Sequence, residues 1–307
     1  MLWGQFLGGF RVGVGAATIR QFATRKSRSL VAYLMLNPGK SFSRQVLADT
    51  LWGEASTGDV MKALRQELWV VRRTFREATI DPENHFSLEG EDIGVKGEPT
   101  LDTTAFEAAT EILIKVPDRA LDEATASTLE EAVALFDGEL LPGLYDDWCL
   151  FPREILRDKY IIVVERLMEW HADRQNWGNA LLFGKRLLDI DPLLEHIHRD
   201  MMRYHYARGD RPAALRQFEQ CRQRLRRELS IEPMAETATL HEAIRRESEA
   251  ELNQRALQQR NKADRRRVLS KARPPTPTSQ SALDAIRNDL DTVGRRIEAL
   301  MRAEKNS

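Results

Sequence analysis

Long apolar runs are missing from this chain. No stretch approaches the roughly 20 consecutive apolar residues of a membrane helix, and the opening MLWGQFLGGFRVGVG has neither the basic start nor the cleavage pattern of a secretory leader. Cysteine is scarce too: Cys149 and Cys221 stand without a spacing relation, which excludes a disulfide framework and a cysteine-based zinc site. A phosphate-cradling Gly-x-x-x-x-Gly-Lys-Ser/Thr is absent. Gly13-Val14-Gly15 is half of a dinucleotide fingerprint, but no third glycine follows in place and no βαβ pattern surrounds it, so these glycines serve hairpin turns. No excess of charge of either sign exists, with 46 Lys and Arg against 47 Asp and Glu. A reduced, soluble, cytoplasmic protein is the expectation.

Catalytic constellations are missing as well. His198 and His205 share a helical face at i, i+7, but about 10 Å of helical rise separates them, too far for one ion. His196 falls on another side. Asp146 and Asp147 flank Cys149 without a histidine in a recognisable order. No enzyme, metal or cofactor is expected.

What is present is a marked charge asymmetry in a chain of 307 residues, long enough for two cored domains. Up to Ile80 there are twelve basic residues against five acids, whereas from Leu101 to Leu150 only Lys115 and Arg119 oppose a dozen acids. Such polarity suggests a basic nucleic-acid face joined to an acidic partner module.

Residues 5–22 give short apolar bursts broken by glycine, the pattern of two or three antiparallel strands. Thr24 or Ser27 can cap a helix burying Leu30, Val31, Leu34 and Met35, stopped by Asn37-Pro38-Gly39. Ser43 caps a second, with Val46, Leu47 and Leu51 inside and an end near Trp52-Gly53. The third runs from Asp59 to Arg76. In it Val60, Leu64, Leu68, Val71 and Phe75 form one apolar stripe at steps of 4, 4, 3 and 4. The opposite face carries Lys62, Arg65, Gln66, Trp69, Arg72, Arg73 and Arg76, and Glu67 is the only acid between Lys62 and Arg76. A helix packed by one side and offering arginine, glutamine and lysine on the other suits a DNA major groove. Arginine can pair bidentately with guanine and glutamine with adenine, while the other cations neutralise phosphates. His85 to Lys96 then reads as a hairpin around Glu89-Gly90-Glu91-Asp92. Strands, three helices and a closing hairpin make a winged helix-turn-helix with the third helix as reader.

From Asp102 the pattern is helical. Asn176-Trp177-x-x-Ala180-Leu181 recurs as Asp210-Arg211-x-x-Ala214-Leu215 after 34 residues, the tetratricopeptide period. Beyond Glu251 a basic segment leads to PPTPTSQS, a linker. A last helix follows, in which Leu283, Ile286, Leu290, Val293, Ile297 and Leu300 keep the spacing 3, 4, 3, 4, 3 of a coiled-coil seam.

LVAYLMLNPGKSFSRQVLADTLWG followed by ALRQELWVVRRTF resembles the DNA-binding half of the Streptomyces antibiotic regulatory protein family. DGELLPGLYDDWCLFPREIL, then ALRQFEQCRQRLRRELSIEP, resembles its bacterial transcriptional activator domain, and the likeness covers residues from about 5 to 245. The resemblance implies a response-regulator-type winged helix followed by a tetratricopeptide-like domain, together binding promoter repeats and recruiting RNA polymerase. With no receiver segment before the winged helix and no phosphate loop, it implies a short form without a switch of its own. Trp148 of the Gly-Leu-Tyr-Asp-Asp-Trp connection is expected to anchor that loop in the core. Trp69 departs from the family pattern, which usually has a small or polar residue there.

The expected fold is therefore mainly α. It comprises a winged helix-turn-helix domain (1–98), an all-α tetratricopeptide-like activator domain (99–250), a basic and Pro-rich linker (251–280) and a coiled-coil helix (281–302). The expected function is that of a sequence-specific DNA-binding transcription regulator, an activator, assembling as a homo-oligomer through the last helix. Arg65, Gln66 and Trp69 would touch base edges; Lys62, Arg72 and Arg73 phosphates or both; Arg25, Lys26, Arg28 and Arg44 the flanking backbone. A competing reading makes the chain a protein-interaction adaptor, with Trp69 anchoring a partner and the acidic hairpin free of any conflict with phosphate.

Overall fold

A computed structural model describes residues 1–19, 21–53, 59–88, 90–115 and 121–246, all within one unit, Met1–Arg246. The linker, the C-terminal helix with its Leu283–Leu300 seam, and the hairpin residue Glu89 lie outside the described residues. The described chain is mainly helical, with small sheets confined to its first third.

The glycine-punctuated start forms three antiparallel strands, β1 (Leu2–Gln5), β2 (Arg11–Val14) and β3 (Ala17–Ile19). Gly15, at φ 55°, takes the β2–β3 turn, where a side chain would be strained. Gly13 has a different task from the turn expected of it: it lies within β2, and a Cβ there would come 2.4 Å from the Trp3 ring. Two short strands were not foreseen, and the first to matter here closes this sheet. After residue 98, β7 (Thr100–Leu101) returns to pair in parallel with β1, giving the order β3-β2-β1-β7. Asp102 follows at once, and its carboxylate accepts the backbone N–H groups of Phe6 and Leu7 at 2.8 to 3.0 Å.

Three helices come next, the first two started by expected capping residues and the third by Asp59, which was expected as its first residue and is its cap. Thr24 accepts the Ser27 N–H before α1 (Arg25–Met35), Ser43 accepts the Val46 N–H before α2 (Arg44–Trp52), and Asp59 accepts the Lys62 N–H before α3 (Val60–Glu77). Leu30, Val31, Leu34, Met35, Leu47, Leu51, Leu64, Leu68, Val71 and Phe75 are all buried in one core, while Val60, the first residue of the predicted α3 stripe, is half-buried against it at the start of the helix. Val46 departs furthest from expectation: it was expected inside, yet is 46% exposed. It sits in the first turn of α2, one step off the Leu47–Leu51 line that meets the core, so the short helix buries only the narrower stripe. The hairpin forms from β5 (Phe86–Ser87) and β6 (Asp92–Val95), and β4 (Ser41–Ser43), just before α2, joins them in the order β4-β6-β5.

The remainder is helical: α4 (Asp102–Lys115), α5 (Glu123–Leu135), α6 (Asp147–Asp173), α7 (Trp177–Ile190), α8 (Glu195–Ala207), α9 (Arg211–Leu229) and α10 (Ala235–Arg246). The 34-residue echo is visible in the backbone itself. Gln175 and Gly209 both take positive φ, 58° and 91°, and the next N–H in each case reaches back to the carbonyl of His171 or His205 at 2.9 Å. These are Schellman-type ends that turn α6 into α7 and α8 into α9. Ala180 and Ala214 are fully buried. Gly184 completes the close packing, since a Cβ there would meet Met201 at 2.8 Å.

Candidate nucleic-acid interface

The outer side of α3 is built by exclusion. Its apolar stripe faces the core, and what is left outward is Lys62, Arg65, Gln66, Trp69, Arg73 and Arg76, all exposed. Glu67, which the sequence places among these cations, is only 9% exposed and accepts a hydrogen bond from the Thr24 hydroxyl. The acid therefore ties α3 to the capping residue of α1 and leaves the outer face without a carboxylate until Glu77. Trp69 is 56% exposed; the Arg73 guanidinium lies 5.5 Å from its ring centre and 2.7 Å from the Glu77 carboxylate.

Arg72 and Arg44 are turned elsewhere. Half-buried Arg72 donates to the Leu88 carbonyl and, at 3.2 Å, to Glu83, fastening α3 to the hairpin side. Arg44 donates to the Gly90 carbonyl at the hairpin tip, at 2.8 Å. Glu91 and Asp92 of that tip are exposed.

The cations of α1 meet the loop that precedes α6. Lys26 donates to the Asp146 carboxylate at 2.6 Å and also to the Leu51 carbonyl. The other Asp146 oxygen accepts from the Ser29 hydroxyl at 3.0 Å, and Ser29 in turn accepts from the Trp148 indole at 3.2 Å. Trp148 is half-buried and sits edge-on to Tyr33, 5.2 Å between ring centres, so it anchors its loop against α1 rather than inside the helical core. Arg25 is exposed, with its guanidinium 5.6 Å from the Tyr145 ring. Arg28 is half-buried, 5.7 Å from the Phe10 ring, and its Nε has no partner among the described residues. Arg153 keeps the loop itself in shape. It is buried and donates to the carbonyls of Leu140, Leu141 and Leu144 at 2.9, 3.0 and 2.7 Å.

Of the ten predicted contact residues, the structure thus gathers Lys62, Arg65, Gln66, Trp69 and Arg73 on one open face. Lys26, Arg44 and Arg72 are bonded to other parts of the chain, Arg28 is half-buried beside Phe10, and Arg25 lies exposed at the start of α1. Sequence reasoning missed Asp146, Ser29 and Glu67 as a fastening set. A faint signal existed, in that two serines, Ser27 and Ser29, interrupt the buried side of α1.

Asp146, Asp147 and Cys149 do not form a reactive group: Cys149 is fully buried, and burial pushes its thiol pKa up. His198 is buried, donating to the Pro192 carbonyl at 3.1 Å and facing the Gln217 amide at 2.7 Å; His196 pairs with Glu165 on the surface. Among the described residues, no group of three or more His, Cys, Asp or Glu side chains is placed to hold a metal, and no helix is long and apolar enough to cross a membrane.

Comparison with known proteins bears on both halves. Residues 101–245 match the family model of the bacterial transcriptional activator domain. The chain is 26% identical over 225 residues to the regulatory protein AfsR of Streptomyces coelicolor, an alignment covering 71% of this chain and 22% of that protein. A solved structure of EmbR from Mycobacterium tuberculosis, in complex with a low affinity phosphopeptide, superposes with a TM-score of 0.61 at 19% identity, over 80% of this chain and 65% of that one. The chain thus spans about a fifth of the length of the curated relative and about two thirds of the solved structure. The solved structure supports the fold alone. With the sequence motifs, these likenesses make the chain similar to the Streptomyces antibiotic regulatory proteins.

Proposed function

We propose that this chain, similar to the Streptomyces antibiotic regulatory proteins and carrying a bacterial transcriptional activator domain, is a sequence-specific DNA-binding transcription activator. The single observation that carries this reading is the outer face of α3, where four cations, a glutamine and a tryptophan stand exposed while the interior acid Glu67 is turned away. Strands, three helices and hairpin act as a winged helix-turn-helix. The helix lies in the major groove, with Arg65, Gln66 and Trp69 against base edges and Lys62 and Arg73 against phosphates. Arg72 and Arg44 act indirectly by holding the hairpin to α3 and α2, and the α1 cations Arg25, Lys26 and Arg28 orient the helical domain. Residues 99–250 form the tetratricopeptide-like activator domain, whose stacked helices recruit RNA polymerase. The C-terminal seam from Leu283 to Leu300 assembles copies on promoter repeats in the cytoplasm.

Retention of mixed genomic fragments on the purified full chain tests this. Selective retention is expected, weakening about a hundredfold between 50 and 200 mM salt if about four phosphates are neutralised. The exposure of Trp69 also fits a second reading, an adaptor using that ring to anchor a protein partner. Retention of no fragment at either salt concentration would establish the adaptor reading over the first.

A further inference from the structure

The one large apolar group on the outer face of α3 has no use in phosphate neutralisation, and its indole offers a single donor, so it cannot make the bidentate pairs that arginine and glutamine make. We propose that Trp69 is a specificity-determining residue that reads the C5-methyl group of thymine. This rests on the DNA reading above and gives it a base preference that charge alone would not.

Three observations carry it. First, the ring is more than half exposed between Arg65 and Gln66 on one side and Arg73 on the other, so whatever those residues touch, the ring also meets. Second, Arg73 stands 5.5 Å from the ring centre and is itself held by Glu77 at 2.7 Å. The ring is thereby steadied from one side, and no other contact to it is found among the described aromatic and cation–ring pairs. Third, the face has no carboxylate before Glu77, which favours a polyanion over an acidic protein surface. On base edges in the major groove, donors and acceptors are common to every pair, whereas the thymine methyl is the distinctive apolar group. Covering indole surface with that methyl removes apolar area from water on both sides. The position can be stated too. Trp69 lies three and four residues beyond Gln66 and Arg65, about 4.5 to 6 Å along the helix axis. At about 3.4 Å per base pair the thymine falls one or two pairs from the base that Arg65 reads.

The test is a cycle between the ring and the methyl. The full chain selects its tightest duplexes from a random library. Each thymine of the winner is then replaced in turn by uracil, which lacks only the methyl. The wild-type protein is expected to bind one uracil variant about three- to fivefold more weakly. That penalty should vanish in Trp69→Ala and persist in part in Trp69→Phe, which keeps a ring. A penalty of the same size in wild type and Trp69→Ala, or no sensitive thymine in a selectively bound duplex, overturns this inference and leaves the DNA reading standing. Enrichment of no duplex overturns both.

Discussion

Two basic helix faces, on α1 and α3, look alike in the sequence and end differently in the structure. Around α1, Lys26 is bonded to Asp146 and to a backbone carbonyl, Arg28 leans on Phe10, and Arg25 approaches Tyr145. On α3, Lys62, Arg65 and Arg73 remain on an open face, and the one acid among them is buried against Thr24. The difference teaches that a count of cations measures potential alone. Whether a cation is available to a polyanion depends on what the rest of the chain places opposite it. A loop lies opposite α1; nothing described lies opposite the outer side of α3.

The comparison can be broken most severely at Arg153. Its guanidinium holds the carbonyls of three loop residues, Leu140, Leu141 and Leu144, and Leu141 has a positive φ of 50°. Arg153→Ala should cost about 3–5 kcal/mol, since buried carbonyls lose their donor, and urea unfolding of the full chain measures it. An unchanged midpoint would mean that the loop, and with it the engagement of α1, does not depend on this residue.

Next in size is the α3 face. Arg65→Ala is expected to weaken binding to a selected duplex by about 1–3 kcal/mol and to relax the preference at one base pair. Competition binding against single-position variants checks it; an equal loss on all sequences would make Arg65 a phosphate contact. Lys26→Ala sharpens the contrast from the other side. Because the Lys26 side chain is about one third exposed, its pair with Asp146 is worth only about 1 kcal/mol after screening. The expected outcome is a small loss of stability with no change in the salt slope of DNA binding. A slope reduced by about 1 would show that Lys26 leaves Asp146 for phosphate.

The smallest effect is one of pH. Burial lowers the pKa of His198, His205 and His241 in the last helices, against His85 alone in the N-terminal region among the shifts found. Near pH 6.5 the unfolded chain binds protons that these folded histidines refuse. Their contribution to stability is full above that pH and is lost as pH falls through it. His198 shows why: with its proton on Nε2 toward Pro192, Nδ1 accepts from Gln217, which suits the neutral ring. Between pH 7.5 and 6, above the carboxylate range, hydrogen exchange corrected for intrinsic rates should show protection falling in α8–α10 more than in α1–α3. Equal changes in the two regions would contradict it.

Much of the fold was legible because it is written locally. The caps Thr24 and Ser43 and the α3 stripe from Leu64 to Phe75 are patterns within one helix and its first turn, and the structure has them. Val46 was misplaced because a nine-residue helix makes too few turns for its periodicity to fix the edge of the buried stripe. The unforeseen strands β4 and β7, three and two residues long, are too short for any alternation to register.

The sequence by itself determined the helices of both halves and the 34-residue echo, since helical periodicity and capping depend on neighbours a few residues apart. Apart from local pairs such as Arg73 with Glu77, tertiary structure decided the fate of the charges. Lys26 and Asp146 are 120 residues apart, Thr24 and Glu67 are 43, and Arg72 meets the Leu88 carbonyl across 16. An ion pair or hydrogen bond is formed by atoms within about 3 Å, and no local pattern records which distant segment will supply the partner.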